Sequence, residues 1–250
     1  MAAGQGGELA ASAGVDSRAL VPVGGRPLVT RVVEALQGAE SLERVVVVHA
    51  PGRPLPEQAV LGAPQVGAAG ERFSDTIAAA AREGGDGFVC LVTADLPLLT
   101  PAAVDESVKF ALDSGADLTY TIAEAGMVAE AFPGTVRTIV RLREGRFTGG
   151  NLVVARAASL LTGLERIETA FGRRKSIVGL TMLLGPMFLL RVAFGRLSVA
   201  DAAARGAQIM GCRVAVHATR YPAVGFDVDK PSDLEVAERL LSAETPPQSR

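Results

Sequence analysis

Continuous apolar runs alternate with segments of helical spacing along most of this chain. Arg44-Val45-Val46-Val47-Val48-His49-Ala50 has the pattern of a strand buried on both faces, and Gly87 to Thr93 is a second run of that kind. Pro27 to Leu36 places Leu28, Val32, Val33 and Leu36 on one helical face. Asp75 to Glu83 reads as a helix capped by Ser74 or Asp75. Thr100-Pro101 starts another, with threonine at the N-cap and proline at the first helical position. Asp117 to Ile122 alternates like a strand, and Val136 to Arg143 with Phe147 to Ala155 reads as a strand pair joined by Glu144-Gly145-Arg146. Residues 156–208 read as a helical insertion, Arg213 to Thr219 as a late strand and Leu234 to Ala243 as a closing helix. The alternation predicts an α/β, three-layer fold with a mostly parallel sheet, one domain over residues 1–243, and a polar, disordered tail over 244–250.

One segment breaks the pattern. Ile177 to Gly195 is almost wholly apolar, with Arg173-Arg174-Lys175 before it and Arg196 after it, and by length it approaches a membrane span. Gly185-Pro186 divides it and Arg191 lies inside its second half, so paired core helices or a helical hairpin are the favoured expectation. A dimer interface or a contact lying on a membrane surface is the sharper alternative. The basic triplet reads first as a solvated edge.

Composition narrows the class further. A net charge of −2 and a pI near 5.8 give no whole-protein field that would favour nucleic acid. The two cysteines, Cys90 and Cys212, make no disulfide framework, and with no signal-peptide pattern at the N-terminus the expected compartment is the cytoplasm. The two histidines, His49 and His217, end apolar runs and read as core or strand-end residues rather than ligands.

The chemistry is concentrated in two short acidic motifs. Thr93-Ala94-Asp95-Leu96-Pro97-Leu98-Leu99 follows the apolar run Phe88 to Val92, and Phe226-Asp227-Val228-Asp229-Lys230-Pro231-Ser232-Asp233-Leu234 precedes the closing helix. A carboxylate at the exit of a buried parallel strand sits where open α/β sheets place their ligands. Two such carboxylates converging can hold Mg²⁺ against phosphate oxygens, since Mg²⁺ prefers hard oxygen ligands and is commonly bound by one or two carboxylates plus substrate phosphates. Asp95 and Asp229 are the first candidates, Asp227 a neighbouring one, and Asp233 reads as an N-cap. The glycine-rich Ala3-Gly4-Gln5-Gly6-Gly7 can bring backbone N–H groups close to phosphates or be a flexible start, and Gly149-Gly150-Asn151 can be a tight turn.

In that order, Ala-Ala-Gly-x-Gly, Leu20 to Val29 (LVPVGGRPLV), the valine run, TADLPLL and DVDKPSDL resemble the MobA-like nucleotidyltransferases over roughly residues 1–240. The resemblance implies the Rossmann-like nucleotide-diphospho-sugar transferase fold. It also implies transfer of a nucleoside monophosphate from an NTP to a small acceptor, with Mg²⁺ at Asp95, Asp227 and Asp229. It further implies that Ala3, Gly4, Gln5, Gly6 and Gly7 hug the nucleotide, that Ser74-Asp75 meets the base, and that Gly149, Gly150 and Asn151 meet the acceptor. Arg18, which would position the triphosphate, stands where the family often has lysine, and Glu8 follows the loop where a basic residue is expected. A nucleotide-sugar glycosyltransferase on the same fold and a catalytically silent nucleotide-binding scaffold are the rival expectations.

Overall fold

The computed structural model describes residues 8–173 and 177–244. The glycine-rich segment Ala3 to Gly7, the basic pair Arg174-Lys175 and all but the first residue of the expected tail lie outside them. In chain order the helices are α1 Glu8–Ser12, α2 Leu28–Gln37, α3 Phe73–Glu83, α4 Pro101–Ser114, α5 Ala125–Ala131, α6 Ala157–Thr162, α7 Leu164–Arg173, α8 Ile177–Leu184, α9 Pro186–Ala193, α10 Val199–Met210 and α11 Pro231–Glu244. The strands are β1 Pro22–Val23, β2 Arg26–Pro27, β3 Val47–His49, β4 Gln65–Gly67, β5 Phe88–Val92, β6 Leu118–Glu124, β7 Ile139–Leu142, β8 Gly145–Arg156 and β9 Val214–Thr219.

The main sheet runs β5-β8-β6-β9, with β7 paired to the first half of β8. β6 and β9 pair in parallel, and β8 is antiparallel to both β5 and β6, so β5, β6 and β9 point one way and β8 is the reversed strand. β3 and β4 form a separate parallel pair. The long apolar run at 44–50 yields only Val47–His49 as strand, and the Pro/Gly-rich loop after it contributes its partner.

Helices cover both faces because β5 and the second half of β8 have apolar residues at successive positions. From β5 and β8, Cys90, Val92, Leu152 and Val154 join Val32, Leu36, Leu96, Val104 and Val108 in a cluster beneath α2 and α4. The alternate positions Val89, Leu91, Val153 and Ala155 meet Ile77, Ala81 and Leu160 beneath α3 and α6. That period of two is what makes the fold three layers deep. Each fully buried leucine of the cluster, such as Leu96 or Leu152, contributes about 1.5–3 kcal/mol relative to exposure. Burial also pushes the Cys90 thiol up to about 12, which leaves it an inert core residue. His217 is buried in β9, stacked on Phe110 at 4.3 Å, as a core histidine should be.

Local signals set the helix ends. The Thr100 side chain accepts from the Ala103 N–H at 3.3 Å, and α4 stops at Gly115, whose φ of 64° is left-handed. α3 begins two residues earlier than its spacing suggests. Its cap is Arg72, and Asp75 at the third position accepts from the Arg72 N–H at 3.1 Å. The apolar stretch at 177–195 divides where expected but does not enter the core. It forms two short helices broken at Gly185 (φ 86°) and Pro186, and α9 contains no buried residue, so it is not part of the core. Among the described residues no helix is long and apolar enough to cross a membrane.

Candidate functional site

β5 ends at Val92 and delivers the next three residues to the edge of the sheet. There the Thr93 N–H donates to the Asn151 carbonyl of β8 at 3.3 Å, and the Thr93 side chain hydrogen-bonds the Asp95 carboxylate. Leu96, fully buried in the core, anchors the segment from the other side. The second acidic motif crosses directly over the first, and the Val228 N–H donates to the Asp95 carbonyl at 2.9 Å. Phe226 and Val228 are both fully buried, which turns the intervening Asp227 and the following Asp229 toward Asp95. One carboxylate oxygen each from Asp95, Asp227 and Asp229 lie within 4.8 Å of one another.

Arg18, at the start of a short 3₁₀ turn capped by Ser17, reaches into this cluster. Its Nη2 lies 2.7 Å from Asp95 Oδ2, and its Nη1 donates to Asp229 Oδ1. Burial pushes the Asp95 carboxyl above the ordinary carboxylate range, and the Arg18 charge and the Thr93 hydrogen bond pull it back. Asp227 is pushed up to about 6, first by burial and then by the neighbouring charges of Asp229 and Asp95, against the pull of Arg137.

Arg137 is the participant that sequence reasoning left without a role. From the segment between α5 and β7 its Nη1 donates to Asp227 Oδ1 at 2.9 Å. Its Nη2 donates to the Asp227 carbonyl at 2.7 Å and to Asp233 Oδ1 at 3.4 Å. The guanidinium lies 5.1 Å from the centre of the Phe226 ring. Asp233, on the first turn of α11, accepts from the Asp229 and Lys230 N–H groups at 3.2 Å each. Asp233, expected at the N-cap, instead stands at the third position of α11, and from there it braces the acidic loop. An arginine standing ahead of the β7–β8 hairpin, in a chain short of lysine, was the one signal in the sequence that could have marked Arg137.

The three aspartates and Arg18 are thus brought together. The other expected contacts sit elsewhere or have other partners. Ser74 and Asp75 occupy the first turn of α3, where the Ser74 N–H donates to Glu168 of α7 at 2.8 Å and Asp75 caps Arg72. Gly149, Gly150 and Asn151 lie inside the extended strand β8 rather than in a turn. A Cβ on Gly150 would come within 2.6 Å of the Thr121 carbonyl and 2.8 Å of Val224, so close packing against β6 and the 222–225 turn requires glycine there.

Divalent-cation chemistry fits these residues on one direct observation. Asp95 Oδ1 is buried and meets no hydrogen-bond partner among the described residues, a vacant hard-oxygen position beside two further carboxylates.

The sequence matches the MobA-like NTP transferase domain over residues 1–182. Among solved structures, a hypothetical transferase from Thermus thermophilus is 36% identical, superposes with a TM-score of 0.78, and is matched over 93% of this chain and 96% of its own. CMP:2-keto-3-deoxy-manno-octonic acid synthetase complexed with CTP superposes with a TM-score of 0.63 at 15% identity, over 98% of this chain and 97% of that one. The molybdopterin-guanine dinucleotide biosynthesis protein A of Archaeoglobus fulgidus gives 0.54 at 14% identity, over 97% of each chain. No match was found among curated proteins. The fold is that of the nucleotide-diphospho-sugar transferases. On its sequence match, the chain belongs to the MobA-like NTP transferase domain family, and with it to the nucleotidyltransferases.

Proposed function

We propose that this protein transfers a nucleoside monophosphate from an NTP to a small acceptor bearing a phosphate or hydroxyl group, in a reaction that depends on Mg²⁺. The acceptor oxygen forms the new bond to the α-phosphorus as the bond to the β-bridging oxygen breaks, and that electron pair leaves with pyrophosphate. The observation that carries the reading is the convergence of Asp95, Asp227 and Asp229 around the unpaired Asp95 Oδ1. When bound there, the cation supplies neutralising charge to the phosphate oxygens. Asp95 and Asp229 are its holders, with Asp227 beside them.

The chain's own residues supply positioning, on which phosphoryl chemistry mainly relies. Arg18 is already beside the carboxylates, and its planar fork of donors matches phosphate oxygens. An acceptor phosphate is ionised at neutral pH and needs no general base. In this reading Ala3 to Gly7 line the nucleotide, Ser74 and Asp75 approach the base, and Gly149, Gly150 and Asn151 border the acceptor. The CTP held by the CMP:2-keto-3-deoxy-manno-octonic acid synthetase neighbour supports an NTP as the donor class.

The test is calorimetric titration with ATP, GTP, CTP and UTP, with Mg²⁺ or EDTA, on wild type and Asp95→Asn, followed by a pyrophosphate-release assay over a panel of phosphorylated acceptors. Mg²⁺-dependent binding of one NTP, lost in the variant, with pyrophosphate released when an acceptor is added, is the expected result. Binding of nucleotide sugars in preference to every NTP would assign the site to glycosyl transfer instead. NTP binding with no turnover would make the protein a sensor or scaffold.

A further inference from the structure

We propose that the face built from α8, α9 and the turn of the β7–β8 hairpin docks on an anionic lipid bilayer. The inference does not depend on the chemistry proposed for the carboxylate site.

The first observation is the distribution of charge. Residues 137–200 carry eleven Arg and Lys against three Asp and Glu, a net of +8, whereas the remainder carries fourteen against twenty-four, a net of −10. Arg137, Arg156 and Arg191 of that stretch pair with Asp227, Asp117 and Asp201 outside it, which still leaves a net of +5 in the part that contains the apolar segment 177–195. The second is exposure. Met187, Leu190 and Phe194 follow one another at helical spacings of three and four, so they share a face, and they are 68%, 51% and 72% exposed. Met182 of α8 is 67% exposed. Large apolar side chains standing clear of the protein in a continuous stretch mark an interaction surface.

The third observation joins the other two in space. One recess beside the hairpin is lined by Arg141 and Arg146 of β7 and β8 together with Ala193 and Phe194. Another is lined by Arg166 and Arg173 of α7 together with Met182 and Leu183. Phe194 and Met182 thus each have arginines at their border, and Arg196 follows Phe194 by two residues in exposed chain. Apolar side chains entering the acyl boundary while flanking arginines meet lipid phosphates is how amphipathic elements lie in a membrane interface. The Gly185-Pro186 break suits two short helices lying in a plane, and neither helix is long enough to span. A two-fold contact with a second copy would set this positively charged region against its own image, a like-charge juxtaposition that works against pairing. Nucleic acid would satisfy the arginines but leave Met187, Leu190 and Phe194 without an apolar partner.

The test is sedimentation of the full chain with large unilamellar vesicles of phosphatidylcholine alone, or with about a third phosphatidylglycerol. Wild type is compared with the triple variant Met187→Ser/Leu190→Ser/Phe194→Ser and with Arg141→Gln/Arg146→Gln, each checked by circular dichroism. We expect at least about tenfold stronger partitioning onto the anionic vesicles and a steep loss between 50 and 500 mM salt. Either variant should weaken partitioning several-fold, and the arginine variant keeps the test decisive should the serine variant fail to fold. Equal partitioning onto both vesicles, none onto either, or variants that bind like wild type would overturn the proposal. So would a dimer in sedimentation velocity that the triple variant dissolves, or release from the vesicles by single-stranded RNA.

Discussion

Arg137 sets the geometry of the late acidic motif by holding two of its carboxylates and one of its carbonyls at once. Replacing it with glutamine leaves Asp233, which is 2% exposed, and the half-buried Asp227 short of a partner. Removing one member of a buried ion pair costs about 3 kcal/mol at the lower end of the usual range, apt here because Asp227 keeps some contact with water. Arg137→Gln should therefore lower the melting temperature. It should also weaken Mn²⁺ binding, followed by electron paramagnetic resonance, by about tenfold, the usual effect of losing a residue that orients a metal ligand. Arg137→Lys should restore part of both; a full loss of stability with unchanged Mn²⁺ affinity would deny the positioning role. Asp227 makes a second prediction. Its folded value of about 6 lies above its ordinary 3.8, so the native state binds that proton more tightly than the unfolded chain does. This contribution is complete below pH 3.8, declines as pH rises, and is gone above about pH 6, amounting to on the order of 2–3 kcal/mol. Metal-free protein should lose melting temperature between pH 5 and 7.5, and Asp227→Asn should lose less. At this scale the aspartates were legible because each motif is contiguous in sequence. Arg137 was not, because 90 positions separate it from Asp227 and only the folded chain brings them together.

The two glycines of β8 show what an element demands of its residues. A Cβ at position 149 would meet the Tyr120 hydroxyl at 2.5 Å, the far end of a side chain, whereas one at 150 would meet the backbone of Thr121 and the side chain of Val224. Gly150→Ala should cost about 1–3 kcal/mol, the usual penalty for overpacking, and Gly149→Ala clearly less. Urea unfolding of the two variants side by side checks the order, and equal costs would contradict it. The sequence marked α4 well, because its cap and first-turn proline are local signals, and it marked β5 by its apolar run. The reversal of β8 was hidden, since the direction of a strand within a sheet is decided by connections rather than by the strand's own residues. The same limit explains α9. Its composition matches a core helix, and only packing reveals that the described chain fully buries none of its residues.

For the molecule as a whole, three clustered carboxylates share the cations Arg18 and Arg137 and leave one buried oxygen unpaired. Adding Mg²⁺ with the matching NTP at 100 times its Kd should raise stability by about 2.7 kcal/mol, EDTA should remove that gain, and Asp95→Asn should never show it. Differential scanning calorimetry at pH 7.5 reads all three. The hydrogen bond from Val228 to Asp95 adds a consequence in time. It closes a loop of 133 positions, and Arg18 meeting Asp229 closes one of 211. At about 5–20 residues per second, the ribosome releases Asp95 on the order of ten seconds before its lid exists. Contacts so distant in sequence form late in folding. A nascent chain, or a copy clipped ahead of β9, can therefore join Arg18 to Asp95 and still lack Asp227 and Asp229, the other two carboxylates of the cluster.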